Sequence, residues 1–299
     1  MKGFIFLIEY GLIRIVGFLI NLLPFSLALK LARPIGNFLF LILKRQRNRA
    51  LDNLRKAFGN EKSEAEIIQI AKGSFIFLVE FGVEWLRIPQ MAKTPERFFS
   101  VRNVKLVHDA FKNKKGVIFL VSHSSNQEMM AVITGYLITR PVNAEVYAVA
   151  RPIKNHMFYD FIVRVRGIFG TKIIDKQGAV RETLRQLKRN AIVAILIDQR
   201  VTEGLTTQFF GRPAITTSLP AMAAIRYDAP VFYVSLSRTP DLKFVFDITP
   251  VPVKKTRNQS EDVQSATQAF NDLLESEIRK APNHWLWMHN RWRMPGEAK

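Results

Sequence analysis

Two residues near the middle of the chain could share the work of moving a proton. His123 follows the apolar run Val117-Ile118-Phe119-Leu120-Val121, and Glu128 comes five positions later. A neutral imidazole is the natural side chain for taking a proton from a hydroxyl near pH 7. A carboxylate on its other nitrogen would fix the tautomer and stabilise the cation that forms. Glu128 could supply that carboxylate if the chain turns sharply after His123. The run Ser125-Asn126-Gln127-Glu128 also reads as a capping box, in which Glu128 only closes the start of a helix. Both readings stand at this level.

Other chemistries find little support. A GxSxG elbow, a P-loop, a GxGxxG fingerprint and an HExxH pair are all missing from the sequence. The histidines are scattered at 108, 123, 156, 284 and 289, so no metal site and no cofactor is expected. Cysteine is absent, which removes disulfides and thiolate nucleophiles.

The surrounding elements decide whether His123 has company. From residue 98 onward, apolar runs of strand length alternate with helix-length segments. Strands are expected at 101–104, 117–121, 145–150, 171–174, 192–197, 230–237 and 243–248. Helices are expected at 105–113, 125–139, 155–166, 178–187, 220–227 and 261–279. The pattern implies an α/β fold with a mostly parallel central sheet flanked by helices. Ligand sites in such sheets lie beyond the carboxyl ends of the strands. Arg151 follows the strand 145–150, and Asp198-Gln199 follows the strand 192–197. His123, Arg151, Asp198 and Gln199 therefore fall on one rim. Arg151 could grip a phosphate bidentately or pair with Asp198. Phe209-Phe210-Gly211-Arg212-Pro213 reads as a loop carrying an aromatic plug.

The 299 residues are 48% hydrophobic and carry a formal net charge of +19. That charge favours an anionic partner, and no nucleic-acid module is recognisable, so a lipid surface is the expected one. Residues 3–23 are long and apolar enough to span a bilayer but contain Glu9 and Arg14. Residues 25–43 are apolar but interrupted by Lys30, Arg33 and Pro34. One reading is an embedded helix followed by an interfacial one; the other is an ordinary helical hairpin. No cleavage motif follows the first segment, so a removable signal peptide is not expected. Lys44, Arg45, Arg47 and Arg49 come next, on the cytoplasmic side by the positive-inside tendency. Residues 47–58 then read as a basic amphipathic helix. Ser63 and Glu66 cap a further helix, expected to end near residue 87. The division expected is a membrane-associated segment, 1–45, and an α/β domain, 46–299. Near the end, three tryptophans and two arginines fall within residues 284–293. Trp287 and Arg291, like Arg45 and Arg47, are candidates for contact with lipid headgroups. A terminus packed against the domain is the alternative.

Taken in order, these segments resemble one family. Asn53-Leu54-Arg55-Lys56-Ala57-Phe58, the HxxxxE box of His123 and Glu128, Arg151-Pro152-Ile153-Lys154-Asn155, Asp198-Gln199, Phe209-Phe210-Gly211-Arg212-Pro213-Ala214 and Trp287-Met288-His289-Asn290-Arg291-Trp292 are similar to motifs of the bacterial lipid A biosynthesis (lauroyl/myristoyl) acyltransferases. Phosphatidylinositol mannoside acyltransferases are relatives of that family. The resemblance implies a glycerol-phosphate-acyltransferase-like fold attached to the cytoplasmic face of the inner membrane. It implies acyl transfer from an acyl carrier protein or acyl-CoA thioester to a hydroxyl of an anionic glycolipid, with His123 as base and Glu128 as its partner. It places Arg151 and Asp198 near the substrate. The family commonly has bulky apolar residues inside the box, where this chain has Ser124-Ser125-Asn126-Gln127. A lipid A precursor, another glycolipid or an aminolipid are thus all open as acceptor. A non-catalytic lipid-binding protein of the same fold is the rival reading.

Overall fold

The structure, a computed structural model, describes residues 2–294. It opens with two apolar helices, α1 (Lys2–Leu22) and α2 (Phe25–Ile42), followed by the basic α3 (Lys44–Phe58) and the long α4 (Glu64–Met91). The capping box of α4 forms as expected: the Glu66 carboxylate accepts from the Ser63 backbone N–H at 2.8 Å, and the Ser63 hydroxyl accepts from the Glu66 N–H. The helix continues past residue 87, with Pro89 in its last turn.

The sheet contains β1 (Phe99–Val101), β2 (Val117–Val121), β3 (Val146–Ala150), β4 (Lys172–Asp175), β5 (Ile192–Leu196), β8 (Val231–Arg238) and β9 (Phe244–Val251). Their order is β1-β9-β8-β2-β5-β3-β4. Pairing is parallel except between β8 and β9. The central strand β2 is buried at all five positions, which is why its sequence is unbroken Val, Ile, Phe and Leu. Its alternate residues serve two cores. Ile118 and Leu120 join the side formed by α8 (Ala179–Lys188), α9 (Leu219–Tyr227) and α10 (Gln259–Lys280). Val117, Phe119 and Val121 face α5 (Val104–Phe111), α6 (Gln127–Ile133) and α7 (His156–Arg166).

Two expectations need correction. The segment read as a loop with an aromatic plug is a two-stranded antiparallel hairpin, β6 (Leu205–Phe209) and β7 (Arg212–Thr216). Its turn residues Phe210 and Gly211 have φ of 52° and 66°, as a type I′ turn requires. Phe210 tolerates this conformation while its ring packs edge-on against Phe58 and Phe209. The helix expected over 125–139 is α-helical only to Ile133 and then widens into a π-helical turn, Thr134–Thr139. The Thr134 and Thr139 hydroxyls bond back to the carbonyls of Met130 and Gly135, a habit that loosens helices.

Both N-terminal helices are long and apolar enough to cross a membrane. One stripe of α1 packs on the rest of the molecule. The Asn155 amide donates to Phe6 O and the Glu9 carboxylate, each at 3.0 Å. Tyr10 meets Phe161 edge-on, the Arg14 guanidinium lies over the Phe161 ring, and the Asn21 amide donates to Leu86 O at 3.1 Å. The polar residues that interrupt the apolar run are the ones that hold α1 to α4 and α7. The opposite face exposes Phe4, Leu12, Ile15, Phe18 and Leu22.

Candidate functional site

His123 lies two residues beyond β2, and Asp198 two residues beyond β5. These strands are adjacent and in register, Val121 opposite Leu196, so the two side chains meet. His123 Nδ1 and Asp198 Oδ1 are 2.8 Å apart. Asp198 Oδ2 accepts two further bonds, from the His123 backbone N–H at 2.7 Å and the Trp285 indole N–H at 3.0 Å. The carboxylate is 2% exposed and the imidazole 16%. Burial alone would push the Asp198 carboxyl up, but His123 and the N–H donors outweigh it and leave it below its usual range. Burial likewise pulls the imidazole down, and Asp198, with a smaller contribution from Glu128, more than offsets this and raises it.

This arrangement selects a tautomer. An ionised Asp198 only accepts, so Nδ1 carries the proton and Nε2 presents its lone pair outward. The Gln199 amide nitrogen lies 3.2 Å from Nε2 and donates to it. The site therefore holds an oriented imidazole whose Nε2 is covered by a neutral, exposed amide.

The contact expected between Glu128 and His123 is not made. Glu128 is the second residue of α6, and its carboxylate turns toward α7, where Arg166 Nε and Nη2 each bind it at 2.6 Å. Nor is Glu128 a cap. Asn126 is the capping residue: its Oδ1 accepts from the Met129 N–H at 3.2 Å, and its amide donates to Glu84 of α4 at 3.1 Å. Arg151 is exposed at the end of β3, on the rim as expected. Asp198 has no bond to it among the described residues; its oxygens are taken by His123 and Trp285. Lys176, just past β4, is held below its ordinary pKa by burial and by Arg151, so the two cations share this part of the rim.

The headgroup assignment of Trp287 and Arg291 is overturned, because both are 0% exposed. Arg291 donates to Ile215 O at 2.7 Å and Thr216 Oγ1 at 2.6 Å, and its guanidinium lies over Phe209. Burial lowers its pKa to about 10. Trp287 packs against Phe58, Phe210 and Trp285. The terminal segment is thus a clamp under the site. Asn53 holds it by donating to Trp287 O and His289 O, both at 2.7 Å. His289, pushed down to about 4 chiefly by burial, is neutral and accepts from the Arg200 N–H at 2.9 Å, fixing the loop after Asp198. Arg45 is exposed on α3. Arg47 folds back: its guanidinium donates to Leu41 O at 3.3 Å and lies over Phe40, closing the end of α2.

Trp285 and Arg166 were not singled out from the sequence. Trp285 was visible only as part of an aromatic cluster, and nothing in the spacing of Arg166 signals a partner 38 residues earlier.

An apolar pocket opens beside this site. Val121 and Leu196, two residues before His123 and Asp198, line its upper part, and Phe119, Ala194 and Ala148 continue down the sheet. Met130 of α6 and Thr134 of the π-helical turn roof it, and Arg166 also lines it.

Comparison with known proteins gives this geometry a context. Residues 5–294 match the family model described as bacterial lipid A biosynthesis acyltransferase. A lipid A biosynthesis acyltransferase of Haemophilus influenzae is 22% identical over 286 residues, covering 93% of this chain and 86% of that protein. The lipid A biosynthesis palmitoleoyltransferase of Escherichia coli K12 is 24% identical over 279 residues, covering 91% and 86%. The chain is an acyltransferase and belongs to the bacterial lipid A biosynthesis acyltransferase family.

Proposed function

We propose that the chain transfers a fatty acyl group from a thioester, carried by acyl carrier protein, to a hydroxyl of a lipid A precursor, with His123 as general base and Asp198 as its orienting partner. The observation that carries this reading is the buried Asp198 carboxylate on His123 Nδ1, which leaves Nε2 as the acceptor of a proton. Gln199 withdraws as the acceptor hydroxyl takes its place on Nε2. The hydroxyl oxygen attacks the thioester carbonyl carbon while Nε2 takes its proton. The C–S bond of the resulting tetrahedral species then breaks, and the imidazolium returns the proton to the thiolate, giving an ester and a free thiol.

The apolar pocket that descends the sheet from Val121 and Leu196, about 50 Å³ as it stands, widens in this reading to take the fatty chain of the donor. Glu128 acts at one remove. It fixes Arg166 on the wall of that pocket and adds negative charge near the imidazole. Arg151 and Lys176 offer positive charge on the rim, suited to an anionic group of the donor or acceptor. The exposed apolar faces of α1 and α2, together with Arg45, rest the molecule on an anionic membrane surface, taken to be the cytoplasmic face of the inner membrane. In this reading residues 1–45 form the membrane-facing part and 46–299 the catalytic domain.

Mass spectrometry of a lipid A precursor incubated with purified protein and acyl-loaded carrier protein tests the proposal. One added acyl group is expected. His123→Ala should lower the rate by about 100-fold or more, the contribution of a positioned base. Wild-type turnover in that variant would remove His123 from the chemistry, and no transfer at all by the wild type would favour the lipid-binding alternative.

A further inference from the structure

A second pocket opens on the other side of His123, and its lining is far more polar than that of the first. It lies at the carboxyl end of β8, between α4 and the end of α10. The residues immediately after the histidine, Ser124 and Ser125, form part of its wall. Tyr233, Ser235 and Ser237 line it from β8, where strand alternation turns all three to one face. The hydroxyls of Ser122, Ser124 and Tyr233 form a chain leading from the pocket to the base of the histidine loop, at 2.6 and 3.1 Å.

Charge narrows what the pocket can hold. Its two basic side chains other than histidine are already engaged: Arg238 by the carboxylates of Glu80 and Glu84, and Lys280 by Glu277. With three carboxylates against two cations, a phosphate would meet no surplus positive charge there. His284 stacks on Phe77 with ring centroids 5.1 Å apart, giving one wall a flat apolar surface suited to the C–H face of a saturated ring. Ser125 supplies an independent pointer. It is only 7% exposed, it lines the pocket, and its buried hydroxyl has no hydrogen-bond partner among the described residues. A buried hydroxyl left unpaired costs free energy that a bound polar ligand would restore.

We propose that this pocket receives an uncharged, polyhydroxylated ring of the acceptor, holding it so that one hydroxyl reaches His123, and that anionic groups of the acceptor are held elsewhere, toward Arg151 and Lys176. The inference rests on the acyl-transfer reading. It also gives the Ser124-Ser125 departure inside the histidine box a role, as the wall that reads the acceptor's hydroxyls.

Direct binding, with no acyl donor present, tests the proposal. Full-length protein in detergent micelles is titrated with methyl N-acetylglucosaminide, and separately with inorganic phosphate, and followed by saturation-transfer NMR. The sugar is expected to receive saturation from the wild type. Ser237→Trp fills the pocket from an exposed strand position and should weaken the sugar at least about tenfold. Ser125→Ala removes a hydroxyl that bonds nothing among the described residues, so folding is retained, and it should weaken the sugar about three- to tenfold, the worth of one hydrogen bond. Failure of the wild type to bind the sugar overturns the proposal, as does undiminished binding by Ser237→Trp. Displacement of the sugar by inorganic phosphate overturns the uncharged class. Sugar binding of the expected pattern in a protein that moves no acyl group would sink the acyl-transfer reading and leave the subsite standing. Acyl transfer without sugar binding would do the opposite.

Discussion

At the scale of single residues, the Asp198 carboxylate determines what His123 can do. Replacing it by Asn keeps the shape but removes the charge. The amide can also present its NH2 to Nδ1, which puts the proton on Nε2 and leaves the base with nothing to accept. Asp198→Asn is expected to lower kcat/KM by about 100- to 10,000-fold. The pH profile carries the sign. In the wild type, Asp198 raises the imidazole above its ordinary value, so kcat/KM should climb with pH and level off only above that raised point. Without the carboxylate, burial, the largest influence, outweighs the smaller contribution of Glu128, which Arg166 opposes, and lowers the imidazole, so the residual activity should reach its plateau at lower pH. An unmoved acid limb would detach the limb from His123. Both partners were legible as polar residues at strand ends. Their pairing was not, because it depends on β2 lying beside β5 in register, and periodicity along one strand says nothing about its neighbour. Glu128 looked the better partner because it is near in sequence; the first turn of α6 instead points it at Arg166.

At the scale of elements, most strands and helices follow from apolar runs of the right length, and their ends move by a few residues. The hairpin β6–β7 escaped because Leu205-Thr206-Thr207-Gln208-Phe209 is largely polar and its partner strand contains Pro213. Its stability comes from outside itself: Asn271 of α10 donates to Thr207 Oγ1 and Thr216 Oγ1, and Arg291 fills the space beneath. Such support from residues about 55 to 75 positions away has no local signature. The apolar pocket is a consequence of strand placement too. Ala148 on β3 and Ala194 on β5 sit side by side in register, and two small residues on the sheet face leave room that α6 does not fill. Ala194→Leu is expected to shift donor preference toward shorter chains. Each methylene denied burial costs about 0.8 kcal/mol, close to a fourfold loss in kcat/KM per methylene for the longer chain. Competition between carrier-protein thioesters of different length measures the shift, and an unchanged preference would place the fatty chain elsewhere.

At the scale of the whole molecule, the question is how the rim meets the membrane. The α1 helix is bound to the domain along nearly its full length, from Phe6 and Glu9 at Asn155 to Asn21 at Leu86. Asn155 is four residues from Arg151, so the start of α1 lies near the rim that carries Arg151. A helix crossing a bilayer would have to give up these contacts or drag charged rim residues into lipid, where an ion at the centre costs several kcal/mol. The arrangement fits instead a helix lying in the interface, its Phe4-Leu12-Phe18 face in lipid and its Glu9-Tyr10-Arg14 side on the domain. The absence of cysteine makes this simple to test, because a single introduced thiol is the only one present. Phe4→Cys and Leu22→Cys stand at opposite ends of the helix on its exposed side. In sealed inside-out membrane vesicles, the two thiols lie at the same shallow depth and should react with a membrane-impermeant maleimide slowly and to a similar extent before any detergent is added. Labelling of Leu22→Cys alone, with Phe4→Cys protected until the vesicles are opened, would mean that α1 spans the bilayer and that its contacts with Asn155 are released in the membrane. Charge supplies the complementary term, since each basic residue near an anionic surface adds about 1 kcal/mol. Vesicle binding should therefore weaken as salt screens Arg45 and its neighbours but persist through the apolar faces, whereas Leu12→Glu with Phe18→Glu should weaken it at low and high salt alike.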